Sequence, residues 1–262
     1  MLSRTGTSCI SGSTRKEIRR RTPGDRAYEF LEITSLGNSG ILLRTSSVSL
    51  AIDPYFPDKT GENDVSTGIL SEIPALAGFL ISHDHWDHFD PEMVALLARR
   101  HGAAVIGPGP VMERLRSLDP ELKSIRLQPP LHEPGFAACF ETAALNGECR
   151  ITAFRTPHGR VHVSFLVEVP EGRLFFDCDN HEPGTLPLGR IKPVDALFLY
   201  PWKGSGWRAF IGDLAPSVWF PVHLSAGEME EYRSGRLPSC LGGEPLPAET
   251  LILEPGETRY LK

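Results

Sequence analysis

Residues 81 to 90 read ISHDHWDHFD and gather three histidines and three aspartates directly behind the apolar run GFL, in a chain with nine histidines altogether. Neutral imidazole nitrogen and carboxylate oxygen are good donors for zinc, manganese or iron. In the H-x-H-x-D-H spacing, His83 and His85 stand two apart and can point the same way from an extended segment. Asp87 and His88 are adjacent, beyond a tight bend, and can aim at a second position nearby. One short loop thus offers donors to two cations. Capping of a helix beginning near Pro91 accounts for Asp90 alone, so the other four residues point to metal.

Two cations need further donors, and those should end other strands. His158 follows the apolar ITAF, Asp177 and Asp179 lie in LFFDCDN, and His223 closes WFPVH. Asp177 and Asp179 share strand parity, so spacing alone does not choose between them. Asp53 ends LAIDP, where it is either a carboxylate that orients ligands or a turn residue before proline. His101, His132 and His162 lack such placement and read as ordinary, whereas His181, two residues past Asp179, is a pocket candidate. Trp202, Lys203 and Trp207 in LYPWKGSGWRAF would form a substrate wall, a partner patch or local cover of the core.

A water shared by two cations ~3.5–4 Å apart ionises near neutral pH, so this chemistry is hydrolysis without a side-chain nucleophile. Asp87 would orient the hydroxide and receive a proton, and the cations would stabilise the oxyanion. No G-x-S-x-G elbow competes, since GSG at 204–206 lacks the strand-to-helix setting.

The elements that must hold these residues are legible as patterns. YEFLEITSLGNSGILLRTSSVSLAIDPYF predicts three successive strands, AGFLIS another, and PEMVALLARRHG a helix with Pro at its start and Gly past its end. AAVIG then PVMERLRSL repeats strand and helix; FAACFETAAL, RITAFRTP, HVSFLVEVP and RLFFDCDN predict four strands. DALFLY, SVWFPVH and TLILEP are late strands, with RAFIGDLA a short helix. Meanders interleaved with strand-helix units predict two facing sheets with helices outside.

With 262 residues, 40% hydrophobic and 23% charged, the chain suits one domain over 28–262, and its 25 glycines and 23 prolines suit a site built on loops. Residues 1–27, rich in Ser, Thr, Gly and Arg, read as a flexible leader, with a nucleic-acid tail or transit peptide as alternatives. A net charge of −6 offers no general attraction to nucleic acid or anionic membrane. No apolar run approaches the ~18 residues of a membrane span. Cys9, Cys139, Cys149, Cys178 and Cys240 lack C-x-x-C spacing, which argues against a cysteine-rich zinc site and for a reducing, cytoplasmic setting.

With these motifs in this order, the sequence resembles the metallo-β-lactamase superfamily from about Glu29 to Pro255, and SHDHWDHFDPEM resembles its L-ascorbate-6-phosphate lactonase-like and N-acyl-phosphatidylethanolamine phospholipase D-like branches. The resemblance implies an α/β (α+β) fold, a four-layer αββα sandwich. It also implies one metal held by His83, His85 and His158, a second held by Asp87, His88 and His223, Asp179 bridging them, and Asp53 and Asp177 behind. The cofactor would be two divalent metal ions, zinc first and manganese or iron as alternatives. The expected activity is hydrolysis of a small-molecule ester, lactone, amide or phosphodiester. A nuclease of the same fold and a non-hydrolytic member, diiron redox or binding, are the alternatives, and the oligomeric state stays open. Cys178 stands where the family usually has glycine before the bridging aspartate.

Overall fold

The computed structural model describes residues 30–58, 64–127, 139–142, 149–201, 206–241, 245–246 and 248–261. The leader over residues 1–27, His132, Trp202 and Lys203 lie outside the described residues. In chain order the elements begin with β1 (Leu31–Gly37), β2 (Gly40–Arg44), β3 (Ser49–Ile52), α1 (Val65–Glu72), β4 (Gly78–Leu80), α2 (Pro91–His101), β5 (Ala104–Pro108), α3 (Gly109–Leu118) and β6 (Ser124–Leu127). They continue with β7 (Cys139–Thr142), β8 (Arg150–Thr156), β9 (His162–Val169), β10 (Gly172–Cys178), α4 (Leu188–Ile191), β11 (Ala196–Leu199), α5 (Trp207–Leu214), β12 (Val218–Pro221), α6 (Ala226–Arg233), α7 (Leu237–Cys240) and β13 (Thr258–Leu261).

Side-chain parity makes the layers. Along β3, Leu50 and Ile52 join the cluster between the sheets while Ala51 faces the helices. Along β11, Ala196 and Phe198 face inward, Leu197 and Leu199 outward. Strands buried on both faces read as continuous apolar runs, as these do. One sheet has the order β13-β1-β2-β3-β4-β5-β6 and the other β12-β11-β10-β9-β8-β7. One apolar cluster lies between them; another joins the first sheet to α1, α2 and α3, and a third joins the second sheet to α4 and α5. This is the expected αββα sandwich.

β3 to β6 run parallel, as do β10 to β12. Their carboxyl ends therefore open at shared rims, the usual place for ligands in parallel sheets. α2 forms where expected: Asp90 accepts hydrogen bonds from the Glu92 and Met93 N–H groups, and Gly102 ends the helix at φ 63°. No helix among the described residues is long and apolar enough to cross a membrane.

Several elements depart from expectation. α1, β6, α4, α7 and β13 form where no element was predicted. α6 forms within SAGEMEEYRSG, started by a capping box between Ser225 and Glu228. TLILEP is not a ladder strand: it touches Trp219 through one bridge to Thr250, and β13 instead pairs with β1. Its alternation is nonetheless real, because Ile252 packs in the outer cluster while Leu251 and Leu253 pack on the inner one.

Candidate metal centre

The loop after β4, the ends of β8, β10 and β12, and the β1–β2 turn converge on one cluster. Four of the five described non-glycine residues with positive φ lie at it: Asn38 (49°), Asp53 (41°), Cys178 (44°) and His223 (63°). Left-handed backbone is costly for such residues and collects at functional sites. Here it re-aims side chains that straight strands would send elsewhere.

The floor of the cluster is buried. Asp53 Oδ1 accepts the Ser82 N–H at 2.7 Å, and Oδ2 accepts the Ser82 hydroxyl. Because that hydroxyl donates to Asp53, its oxygen must accept from His83 Nδ1, 2.9 Å away. The same Asp53 oxygen lies 3.1 Å from His88 Nδ1, which Ser39 Oγ also meets at 3.0 Å. Both rings are thereby turned so that Nε2 faces the cluster. His83 Nε2 and His88 Nε2 are buried without a hydrogen-bond partner, the state expected of nitrogens meant for a cation rather than a proton donor.

The rim is more open. His158 Nε2 lies 3.2 Å from His85 Nδ1 and 3.3 Å from Asp179 Oδ2. Asp87 Oδ2 lies 2.9 Å from His223 Nε2 and 3.6 Å from His88 Nε2. Asp179 Oδ2 is also 3.6 Å from His88 Nε2 and 3.8 Å from His223 Nε2. The structure thus brings His83, His85, Asp87, His88, His158, Asp179 and His223 together. Ligand-atom triplets of suitable spacing among the described residues are His83/His85/His158, His83/His88/Asp179, Asp87/His88/His223 and, in the floor, Asp53/His88/Cys178. This donor set of imidazoles and carboxylates fits zinc, manganese or iron.

Electrostatics agree with a cation here. At His83 burial, then the neighbouring His88 and His162, hold the ring neutral by pushing it far below its ordinary value. At His88 burial opposes charge, but Cys178 and the carboxylates of Asp179 and Asp53 outweigh it and push the ring well above its ordinary value. That spot draws positive charge. At Asp87 burial works upward, yet the hydrogen bond from His223 and the nearby His88 win and hold the carboxyl down at about 2. Burial pushes the Cys178 thiol up to about 12, against the opposing pull of His88.

Other expected residues lie around these. Asp177 accepts from Ser164 Oγ and Asn180 Nδ2 and shapes the turn that carries Asp179. Burial, against those two donors, raises it to about 7. Of the three places open to Trp207, its packing is that of local cover of the core: it lies on Trp219 at 5.4 Å in the outer layer, because Trp219 has outward parity on β12. His181 is exposed and sits 3.0 Å from His158 Nδ1.

Sequence reasoning passed over Asn38, Ser39, Ser82 and His162. Asn38 accepts the His223 N–H at 3.1 Å and donates to the Asp87 carbonyl at 2.9 Å. His162, read as ordinary, is fully buried with its ring 5.1 Å from His83. It pairs with Thr156 across β8 and β9, so the hairpin carrying His158 also delivers it. Recognising HGRV as that hairpin was the available signal.

A beta-lactamase superfamily domain model matches residues 51–230. A protein of Mycobacterium tuberculosis (strain H37Rv), named as a candidate Rieske 2Fe-2S iron-sulfur protein, is 28% identical over 208 residues, 70% of this chain and 36% of that protein. The chain therefore spans about a third of that relative's length. A metallo hydrolase of the archaeon Ignicoccus hospitalis superposes with TM-score 0.64 at 16% identity, covering 89% of this chain and 99% of the other. The diiron β-hydroxylase CmlA of Streptomyces venezuelae superposes with TM-score 0.59 at 17% identity, covering 89% of this chain and 54% of the other. The two superpositions speak for the fold.

Proposed function

The chain belongs to the beta-lactamase superfamily, and from that premise we propose that it is a metal-dependent hydrolase of a small ester, lactone, amide or phosphodiester. His83, His85 and His158 would hold one divalent cation, Asp87, His88 and His223 a second, with Asp179 between. The observation that carries the reading is the pair of buried, unpartnered Nε2 atoms of His83 and His88 beside the Asp179 carboxylate. Bound cations would supply Lewis acidity and a water acidic enough to ionise near neutral pH.

The chain's own residues divide the remaining work. Asp53 holds His83 and His88 in the orientation a ligand needs, through Ser82 and directly. Asp87 stays ionised and accepts a hydrogen bond from the attacking water, aligning it on the scissile bond. A carboxyl held at about 2 is a weak base near neutral pH, so orienting suits it better than keeping the proton. Hydrolysis then needs no side-chain nucleophile.

The test is metal content and turnover on one purified sample screened with lactones, phosphodiesters and N-acyl amines. The expected result is about two zinc or manganese ions per chain, with His83→Ala lowering both occupancy and turnover. Full occupancy in that variant would remove His83 from the ligand set.

A redox member is the second reading, favoured by the name of the Mycobacterium tuberculosis relative. Rieske clusters take two cysteines and two histidines. Among the described residues Cys178 alone of the cysteines joins a group with metal-ligand spacing, and Cys149 is buried in the inter-sheet core. Iron with a redox-active spectrum in the purified protein would favour this reading over hydrolysis.

A further inference from the structure

His158 is gripped at both ring nitrogens by a single turn. Its Nε2 faces the cluster, 3.3 Å from Asp179 Oδ2, and its Nδ1 faces outward, 3.0 Å from His181 Nε2. Asp179 and His181 lie two residues apart on the turn that follows β10. That turn is built by its own polar groups. The Asn180 N–H bonds the Asp177 carbonyl at 3.1 Å, Asn180 Nδ2 donates to both Asp177 carboxylate oxygens at 3.1 and 3.2 Å, and Asn180 Oδ1 accepts the Glu182 N–H at 3.0 Å. The His181 N–H reaches back to the Pro157 carbonyl at 3.0 Å, tying the turn to the segment that carries His158.

Proton accounting assigns the direction of the histidine pair. If His158 Nε2 gives its lone pair to a cation, its proton must sit on Nδ1, so His158 donates and His181 Nε2 accepts. Metal-bound histidines almost always donate their outer N–H to a fixed acceptor, which sets the tautomer and the ring plane. For His83 and His88 that acceptor traces to Asp53 in the floor. For His158 the chain offers an imidazole.

We infer that His181 is a positioning residue: the outer acceptor that holds His158 in the tautomer and orientation of a metal ligand. The inference rests on the reading of His83, His85 and His158 as a cation position. It gives His181 a role beyond its expected place at a pocket. His181 is exposed, so removing its side chain opens no cavity in the fold.

The test uses the full chain with His181→Ala, His181→Gln and His181→Lys. Gln places an acceptor oxygen where Nε2 stood, Ala offers nothing, and Lys offers donors only. Zinc affinity is measured by chelator competition, and the cobalt-substituted protein is followed by its visible absorption. Ala and Lys are expected to weaken one of the two zinc sites by about 10–100-fold and to change the cobalt spectrum, while Gln restores both to near wild type. Melting of the metal-free protein should be the same for all four. An Ala variant that binds zinc like wild type, or a Gln variant no better than Ala, overturns the inference and leaves the metal centre standing. A wild-type protein that takes up no zinc, cobalt, manganese or iron overturns the metal centre and the inference with it.

Discussion

His88 and His223 lie on the same side of the cluster with rings 5.2 Å apart and nearly parallel, yet they are held in opposite ways. The His88 side chain has no exposed surface and leans on Asp53, which is equally buried, and on Ser39. The His223 side chain is 19% exposed, and its bond to Asp87 joins two groups that water can reach. The floor was ordered by folding itself, because its hydrogen bonds lie inside the molecule. The rim is ordered by fewer contacts, and it faces whatever enters. A change in the floor should therefore register in stability and metal binding together, whereas a change in the rim should register in metal binding and turnover with the fold left intact.

The strongest way to break this contrast is to compare Asp53→Ala with Asp87→Ala. Without Asp53, the Ser82 N–H, the Ser82 hydroxyl and His88 Nδ1 lose their shared acceptor in a fully buried place. Removing one partner of a buried pair costs about 3–5 kcal/mol. Urea unfolding of the metal-free protein should show that loss, accompanied by loss of both cations. Asp87→Ala should forfeit one cation and most turnover while unfolding within about 1 kcal/mol of wild type. Equal destabilisation by the two would erase the distinction between floor and rim.

Asp179 and Asp177 sharpen it next. Asp179 reaches floor and rim alike through His88, His158 and His223. Asp179→Ala is expected to empty one cation position and abolish nearly all activity. Asp177→Ala acts only through the turn and should cost about the 10–100-fold typical of outer partners. Anomalous diffraction on metal-loaded crystals of both variants decides: a cation lost from Asp177→Ala but kept in Asp179→Ala reverses the assignment.

The last contrast is a slope in pH. Burial raises the Asp177 carboxyl to about 7 from its ordinary 3.8, so the folded chain binds this proton more tightly than the unfolded chain does. The resulting stability is complete below about pH 4 and is lost as pH rises toward 7. In metal-free protein, Asp177→Asn should flatten that decline relative to wild type. Parallel stability profiles for the two, from pH 4 to 8, would show that Asp177 is charged throughout.

Much of the sandwich was readable because parity is a local property. A strand buried on both faces must be apolar at every step, and GFL, ALFL and VWF are. Where burial came without a ladder, as in TLILEP, the same pattern misled, since periodicity reports which faces are covered and says nothing about hydrogen-bond partners. α6 was missed although Ser225 and Glu228 carry its capping signal, because its helix has no buried residue to mark a period. Trp207 carried no pattern at all. Only the outward parity of Trp219 decides that its ring lies in the outer layer.

The candidate donors were written in the sequence. H-x-H-x-D-H is a spacing within one loop, and His158, Asp179 and His223 each end an apolar strand, so local chemistry and strand ends were enough to collect them. What holds those donors was decided by tertiary structure alone. Asn38 and Ser39 come from a hairpin turn, Ser82 from the residue before the loop, His162 from across a strand pair, and His181 from a turn shared with Asp179. A hydroxyl, an amide or a second histidine has no periodic signature. Its meaning depends on which distant proton or lone pair lies about 3 Å away, and only the packing of the two sheets brings those atoms together.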